Sequence, residues 1–151
     1  MKIAVFPGSF DPIHNGHVDI VNRMLPLFDK IIIAIGQNIQ KQYMFDLEKR
    51  MEWINDVFLK EDKIEMQTYK GLTIDFCKSV NAQFIIRGLR TTSDFEFEKA
   101  IAQMNRYGAP NIDSVFVIAS PENTPVSSTT IRDIIKHGGD VSRFLPKQIS
   151  L

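Results

Sequence analysis

The chain has 151 residues, 18 basic against 18 acidic, and one cysteine. A domain of that size buries roughly 70% of the surface its unfolded chain exposes, so neither disulfides nor a structural metal are needed to hold a core. Zero formal charge argues against electrostatic capture of nucleic acid or a membrane surface, and no apolar run approaches the length of a bilayer span.

Cys77 cannot form an internal bridge, and the N-terminus lacks a signal-like order of charged, apolar and small residues, so a soluble protein of a reducing cytoplasm is expected. Apolar runs and helical stretches then alternate with no linker or repeat between them. Lys2 to Phe6 reads as the first strand. The turn Pro7 to His17 comes next and leads into a helix beginning near Val18, with Val18, Val21, Leu25 and Phe28 on one stripe. Pro26 implies a kink or an early stop in that helix.

Lys30 to Ile35 is the second strand; Ile31, Ile32 and Ile33 in succession indicate burial on both faces, as parallel sheets require. Leu47, Met51, Ile54 and Phe58 form a helical stripe with Asp46 as its cap and Trp53 as packing. Lys63 to Thr68 is the third strand. A short helix comes after Gly71, in which Cys77, amid Ile74, Phe76 and Val80, reads as core rather than nucleophile. Gln83 to Arg87 is the fourth strand, and Ser93 with Glu96 forms a capping box for a helix to about Arg106. Ser114 to Ile118 is the fifth, before a last helix from about Thr129 to His137, closed by Gly138 or Gly139. The alternation predicts βαβ units with right-handed crossovers and an α/β fold.

The chemistry gathers just beyond the strands. In the first turn, Gly8 and Gly16 let main-chain N–H groups approach a ligand, and His17 stands where a helix start favours an anion, so the turn reads as a phosphate site. His14 and His17, three apart, are spaced to share a metal, but no third ligand is near them and no cysteine pair occurs. Lys41 comes after the second strand, Thr73 lies downstream of the third, Arg87-Gly88-Leu89-Arg90 closes the fourth, and Val126 to Thr130 come after the fifth. In an open parallel sheet these ends form one edge, with ligands bound where strand order reverses. No nucleophile elbow and no P-loop sequence is present, which removes support for acyl transfer and P-loop chemistry.

A strand and then Gly8-Ser9-Phe10-Asp11-Pro12 and Asn15-Gly16-His17 resembles the signature of the nucleotidyltransferase superfamily, which includes the class I aminoacyl-tRNA synthetases. Along almost its whole length, and most specifically in Gly88-Leu89-Arg90 and Asp94-Phe95-Glu96-Phe97-Glu98, the chain resembles the bacterial phosphopantetheine adenylyltransferase family. The resemblance implies one Rossmann-like domain over residues 1–151: an open parallel five-stranded sheet of order 3-2-1-4-5 with helices on both faces. It implies transfer of the adenylyl group of ATP to 4′-phosphopantetheine, giving dephospho-coenzyme A and pyrophosphate.

His17 would donate to the α-phosphate and Ser9 and Lys41 would orient the attacking phosphate, with Arg90 as a further catalytic group. Thr73 and Arg87 fall where the family binds the pantetheine substrate. Ser9, Phe10, His17, Gly88, Leu89, Arg90 and Glu98 fall where it binds ATP, as does the loop Asn123, Thr124, Pro125, Val126, Ser127, Ser128 and Thr129. No residue is assigned to metal; Mg2+ would be held by substrate phosphates and water. A homo-oligomer, a hexamer, is also implied. Ser9 stands where many relatives have threonine, and His14 stands at a position often held by threonine. A sister nucleotidyltransferase with another phosphorylated acceptor, or a non-catalytic nucleotide-binding module on the same fold, are the competing readings.

Overall fold

Five apolar segments pair into one parallel sheet of order β3-β2-β1-β4-β5, the order the resemblance implied. A computed structural model describes residues 1–151. The strands are β1 (Ile3–Gly8), β2 (Lys30–Gly36), β3 (Ile64–Tyr69), β4 (Phe84–Leu89) and β5 (Asp113–Ile118). Between and after them run α1 (Asn15–Met24), α2 (Leu47–Val57), α3 (Thr73–Ser79), α4 (Thr92–Gly108) and α5 (Ser128–Lys136). No helix is long and apolar enough to cross a membrane.

The period-two alternation of the central strands sorts their side chains onto two covered faces. Phe6, Ile31, Ile33, Ile35 and Ile86 pack against Ile20 and Val21 of α1 and Trp53 and Ile54 of α2. Val5, Ile32, Ala34 and Ile85 face the other way, onto Cys77 of α3 and onto Ala109 and Ile112 beyond α4. Each buried branched side chain contributes about 1.5–3 kcal/mol, so the isoleucine run on β2 is a large share of the core.

Local chemistry sets the helix ends, and here the expected boundaries move. The first helix begins at Asn15 instead of near Val18, because His14 acts as its cap and brings the Asn-Gly-His segment into the first turn. Pro26, which has no N–H to donate, limits the chain after Met24 to a short 3-10 turn over Leu25–Leu27. Asp46 caps α2 as expected, its carboxylate accepting from the Lys49 N–H. The capping box of α4 is Thr91 with Asp94, not Ser93 with Glu96. Starting there lets Asp94 accept from the N–H groups of both Arg90 and Thr91, which the later start would leave unpaired. Ser127 caps α5, and Gly138, at φ +75°, ends its last turn.

Strand pairing opens the functional crevice. β1 and β2 stay in register for six pairs, from Ile3 opposite Lys30 to Gly8 opposite Ile35. β1 and β4 pair only at Ala4 opposite Phe84 and Val5 opposite Ile85. Beyond that point the two neighbours at the reversal of strand order separate, and Arg87 Nη1 donates across the gap to the Pro7 carbonyl at 3.0 Å.

Gly88 lets α1 lie close over that gap. A Cβ there would fall 2.3 Å from Ile20 Cδ1, so Gly88→Ala forces the end of the buried Ile20 side chain to turn away. Overpacking of this kind costs about 1–3 kcal/mol. The variant should lower the urea midpoint correspondingly, and an unchanged midpoint would mean that α1 is not held by this contact.

Candidate active site

The first turn is built around two imidazoles. The His14 side chain caps α1 by accepting from the Gly16 N–H through Nδ1, at 3.1 Å, and His17 Nδ1 accepts from the His14 N–H, also at 3.1 Å. The rings stack with centroids 3.7 Å apart and planes 23° apart. Gly16 is required by this stack as much as by any ligand, since a Cβ there would lie 2.9 Å from His14 Cε1. With Nδ1 occupied as an acceptor, each neutral ring carries its proton on Nε2 and presents a donor there. Phe10 supports the pair: at φ 47° it turns its ring back to 4.8 Å from His17 and 5.5 Å from Phe6. A positive φ is costly for an aromatic residue and is a mark of a constrained site.

His17 opens into a cavity of about 300 Å³ at the carboxyl edge of the sheet. Arg87, Gly88 and Arg90 from β4 and its exit line one wall, with Asp94 and Glu98 of α4 behind them. The opposite wall is Asn123, Val126, Ser127, Ser128 and Thr129. The loop before α5 is held to α1, because Ser120 Oγ donates to Asp19 at 2.9 Å and Asn123 Nδ2 donates to Ser120 Oγ at 3.0 Å. A second cavity, also about 300 Å³, holds Ser9, Lys41, Tyr43, Tyr69 and Thr73. Lys41 Nζ donates to Ser9 Oγ at 3.1 Å, and Thr73 Oγ1 shares a 2.8 Å hydrogen bond with the Tyr69 hydroxyl. Pro7, Gly8 and Arg87 line both cavities, so the two meet over the end of β1.

Most of the residues singled out in the sequence are therefore brought to one edge, in two groups. Ser9, assigned to both substrates, lies in the second cavity with Lys41 and Thr73. Glu98 lies behind the arginines, both its carboxylate oxygens accepting from Arg87. Four candidates line neither cavity. The Phe10 ring is buried beneath His17, Leu89 is buried, and Thr124 and Pro125 are exposed on the preceding turn, the Thr124 hydroxyl donating to the Ser120 carbonyl. Cys77 is buried, and burial pushes its thiol up to about 11, which excludes an activated nucleophile.

Other contributors were not singled out. Asp94, the box partner of the Thr91 cap, accepts from the Arg90 N–H and lines the first cavity. Asp11, Arg50 and Arg132 tie the surrounding loops together; Asp11 was visible only as part of the Phe-Asp-Pro motif, and neither arginine stood out in the sequence.

Both imidazoles are neutral well into acid. Burial, and after it the charge of Arg90, lowers His14 from 6.5 to about 4. His17 is lowered well below its ordinary value, by burial first and then by His14, Arg90 and Arg87. The unfolded chain takes up these protons near pH 6.5 while the folded one refuses them, so stability is lost as pH falls from 6.5 toward 4. His14 alone accounts for about 3 kcal/mol of that loss. Urea titrations across this range should show the decline, and His14→Asn, which keeps a capping acceptor, should flatten it; an equal slope in the variant would show that His14 is not the titrating group.

The comparisons agree with this geometry. The cytidylyltransferase-like family model matches residues 5–134. A phosphopantetheine adenylyltransferase of Christiangramia forsetii is 53% identical over 97% of this chain and 96% of its own length. That of Cytophaga hutchinsonii is 53% identical over 98% of this chain and 99% of its own. Among solved structures, a bifunctional NMN adenylyltransferase/ADP ribose pyrophosphatase from Francisella tularensis superposes with a TM-score of 0.72 over 95% of this chain and 44% of its own, at 19% identity, a likeness of fold alone. A sheet of order 3-2-1-4-5, a histidine turn at its reversal and near-complete alignment with these relatives place the chain in the phosphopantetheine adenylyltransferase family, within the cytidylyltransferase-like nucleotidyltransferases.

Proposed function

We propose that the paired cavities transfer the adenylyl group of ATP to the phosphate of 4′-phosphopantetheine, giving dephospho-coenzyme A and pyrophosphate, a step of coenzyme A synthesis. The observation that carries the reading is the tautomer of His17. Its Nδ1 is taken by the His14 N–H, so the ring serves the cleft as a donor and not as a general base. That suits a nucleophile that is already an anion: a phosphate monoester has a second pKa of about 6 and needs no base at neutral pH.

Catalysis is then positioning and charge stabilisation. In this assignment the first cavity takes ATP. Arg90 and the hydroxyl-rich start of α5 hold its phosphates, with Gly88, Asn123 and Val126 to Thr129 as the surrounding wall and Glu98 acting through Arg87. The second cavity takes the acceptor, whose phosphate is oriented by Lys41 and Ser9, with Thr73 and Arg87 on the pantetheine side. The cavities meet beside Arg87, so an acceptor phosphate in the second would lie next to the α-phosphorus of a nucleotide in the first, and in-line displacement would need the pyrophosphate to leave on the far side. His17 donates to the non-bridging α-oxygens as negative charge gathers there.

A divalent cation fits this site only as part of the nucleotide. Asp94 and Glu98, the carboxylates of the first cavity, are occupied by the backbone of Arg90 and by the Arg87 side chain, so Mg2+ would be held by phosphate oxygens and water. When bound it would neutralise phosphate charge. A homo-oligomer, six copies by family resemblance, belongs to the same reading. The exposed Phe97, Ile101 and Met104, one face of α4 at helical spacing, offer another copy an apolar surface. The lone unpaired cysteine supports a cytoplasmic setting.

Pyrophosphate release should be measured with ATP and a panel of acceptors: 4′-phosphopantetheine, nicotinamide mononucleotide and small phospho-alcohols. Release confined to phosphopantetheine is expected; preference for another acceptor would move the chain to a sister activity, and none at all would leave a nucleotide-binding module. His17→Ala should lower kcat about a hundredfold or more, the loss of roughly 2.7–4 kcal/mol of transition-state stabilisation, with ATP affinity nearly unchanged. Full turnover in that variant would remove His17 from the chemistry. Lys41→Ala should raise the acceptor KM and spare ATP binding; selective loss of ATP binding would reverse the assignment.

A further inference from the structure

Asp11 is 2% exposed and lines neither cavity, yet it holds two loops that do. Its two carboxylate oxygens accept separately from successive backbone amides, Oδ2 from Met44 and Oδ1 from Phe45, each at 2.9 Å. Those amides end the connection from β2 to α2, the segment that carries Lys41. Arg50 of α2, 3% exposed, closes the loop from below: it donates to the Ser9 carbonyl at 2.8 Å and to the Phe45 carbonyl at 3.0 Å. From the nucleotide side, Arg132 of α5 donates to the Asp11 carbonyl at 2.8 Å and lies 3.9 Å from its carboxylate. Ser128 Oγ donates to the neighbouring Pro12 carbonyl at 2.9 Å.

We infer that Asp11 is a positioning residue for the transfer reaction: it fixes the Lys41 loop against the histidine turn, so that Lys41 and Ser9 stand ready for the acceptor phosphate. The inference rests on the proposed assignment of the second cavity to the acceptor. The physical ground is specific to a carboxylate. Two amides on consecutive residues need two acceptor atoms held at a fixed separation, and an unprotonated carboxylate offers two with no donor of its own. An amide side chain in the same place would turn an NH2 toward one of them, donor against donor, and a buried N–H left without an acceptor loses its anchor. The long Lys41 side chain reaches Ser9 only if its loop stays put, and placement errors of about 1 Å are enough to slow a positioned reaction about a hundredfold.

Asp11→Asn should raise the acceptor KM about tenfold or more and leave ATP affinity within about twofold, a tenfold change corresponding to about 1.4 kcal/mol. Because the effect runs through Lys41, Asp11→Asn placed on Lys41→Ala should add little; a full additive penalty would show that Asp11 acts by some other route. A merely structural role would weaken ATP and acceptor binding together, and that outcome overturns the inference. Hydrogen–deuterium exchange separates this claim from the proposed activity, since it needs no substrate: the Met44 and Phe45 amides should exchange faster in Asp11→Asn than in the unaltered protein. Unchanged exchange would refute the anchoring whatever the kinetics. Should Asp11→Asn not fold, Arg50→Lys reads the same linkage from the α2 side. Lysine keeps the charge but cannot donate to both the Ser9 and Phe45 carbonyls, so the acceptor KM should rise with ATP affinity retained, and an unaltered acceptor KM would overturn the proposal.

Discussion

The site exists because two neighbouring strands stop pairing. After Val5 and Ile85, β1 and β4 exchange no further ladder partners, while β1 continues alongside β2 as far as Gly8. The separation leaves the Pro7 carbonyl and the end of β4 facing a gap that backbone cannot fill, and the Arg87 guanidinium fills it. It donates to Pro7 and takes both oxygens of Glu98 from α4, so a single cation joins the central strand, its neighbour and the next helix. Such a charge is tolerable at partial burial because it is paired with a carboxylate and each of its three nitrogens donates a hydrogen bond. Both cavities then form on either side of it.

The same economy of donors runs through the rest of the edge. The imidazole pair fixes its own tautomers by capping the helix it begins, so helix formation and the supply of Nε2–H donors are one event. Thr91 caps α4 with Asp94 as its box partner, and Asp94 also accepts from the Arg90 N–H; Ser127 caps α5 beside the same cavity. Negative groups near the cleft are engaged by arginines or backbone amides, and the side chains left facing it are cations, hydroxyls and neutral imidazole. For the proposed pair of phosphorylated substrates, such a field would stabilise charge without a base to compete for protons.

Much of this was legible in the residues. Apolar period and punctuation located all five strands to within one or two residues and all five helices, and the chemistry-bearing segments all fell at strand exits as the α/β rule requires. Cap chemistry was legible in kind but not in position. Threonine with aspartate and serine with glutamate have the same spacing of three, and the Thr91–Asp94 box is the one that also supplies an acceptor to the Arg90 N–H. Asp11, Arg50 and Arg132 could not be found by pattern. The partners that tie them to other loops lie between 33 and 121 residues away in the chain, and an arginine on a helix looks the same whether it meets water or a carbonyl.

By itself the sequence determined which segments are strands and helices, that the second strand is buried on both faces, and that histidine, lysine, arginines and hydroxyls gather at the strand exits. Those are properties of neighbours in the chain: periodicity, turn residues and caps are decided within a few residues. Only the tertiary structure decided where β1 and β4 part, that Ser9 stands with Lys41 on one side of Arg87 and the α5 hydroxyls on the other, and that Phe10 and Leu89 lie outside both cavities. These depend on register between strands and on hydrogen bonds across the whole chain. No local preference encodes such distances, and packing fixes them only when the sheet closes over its helices.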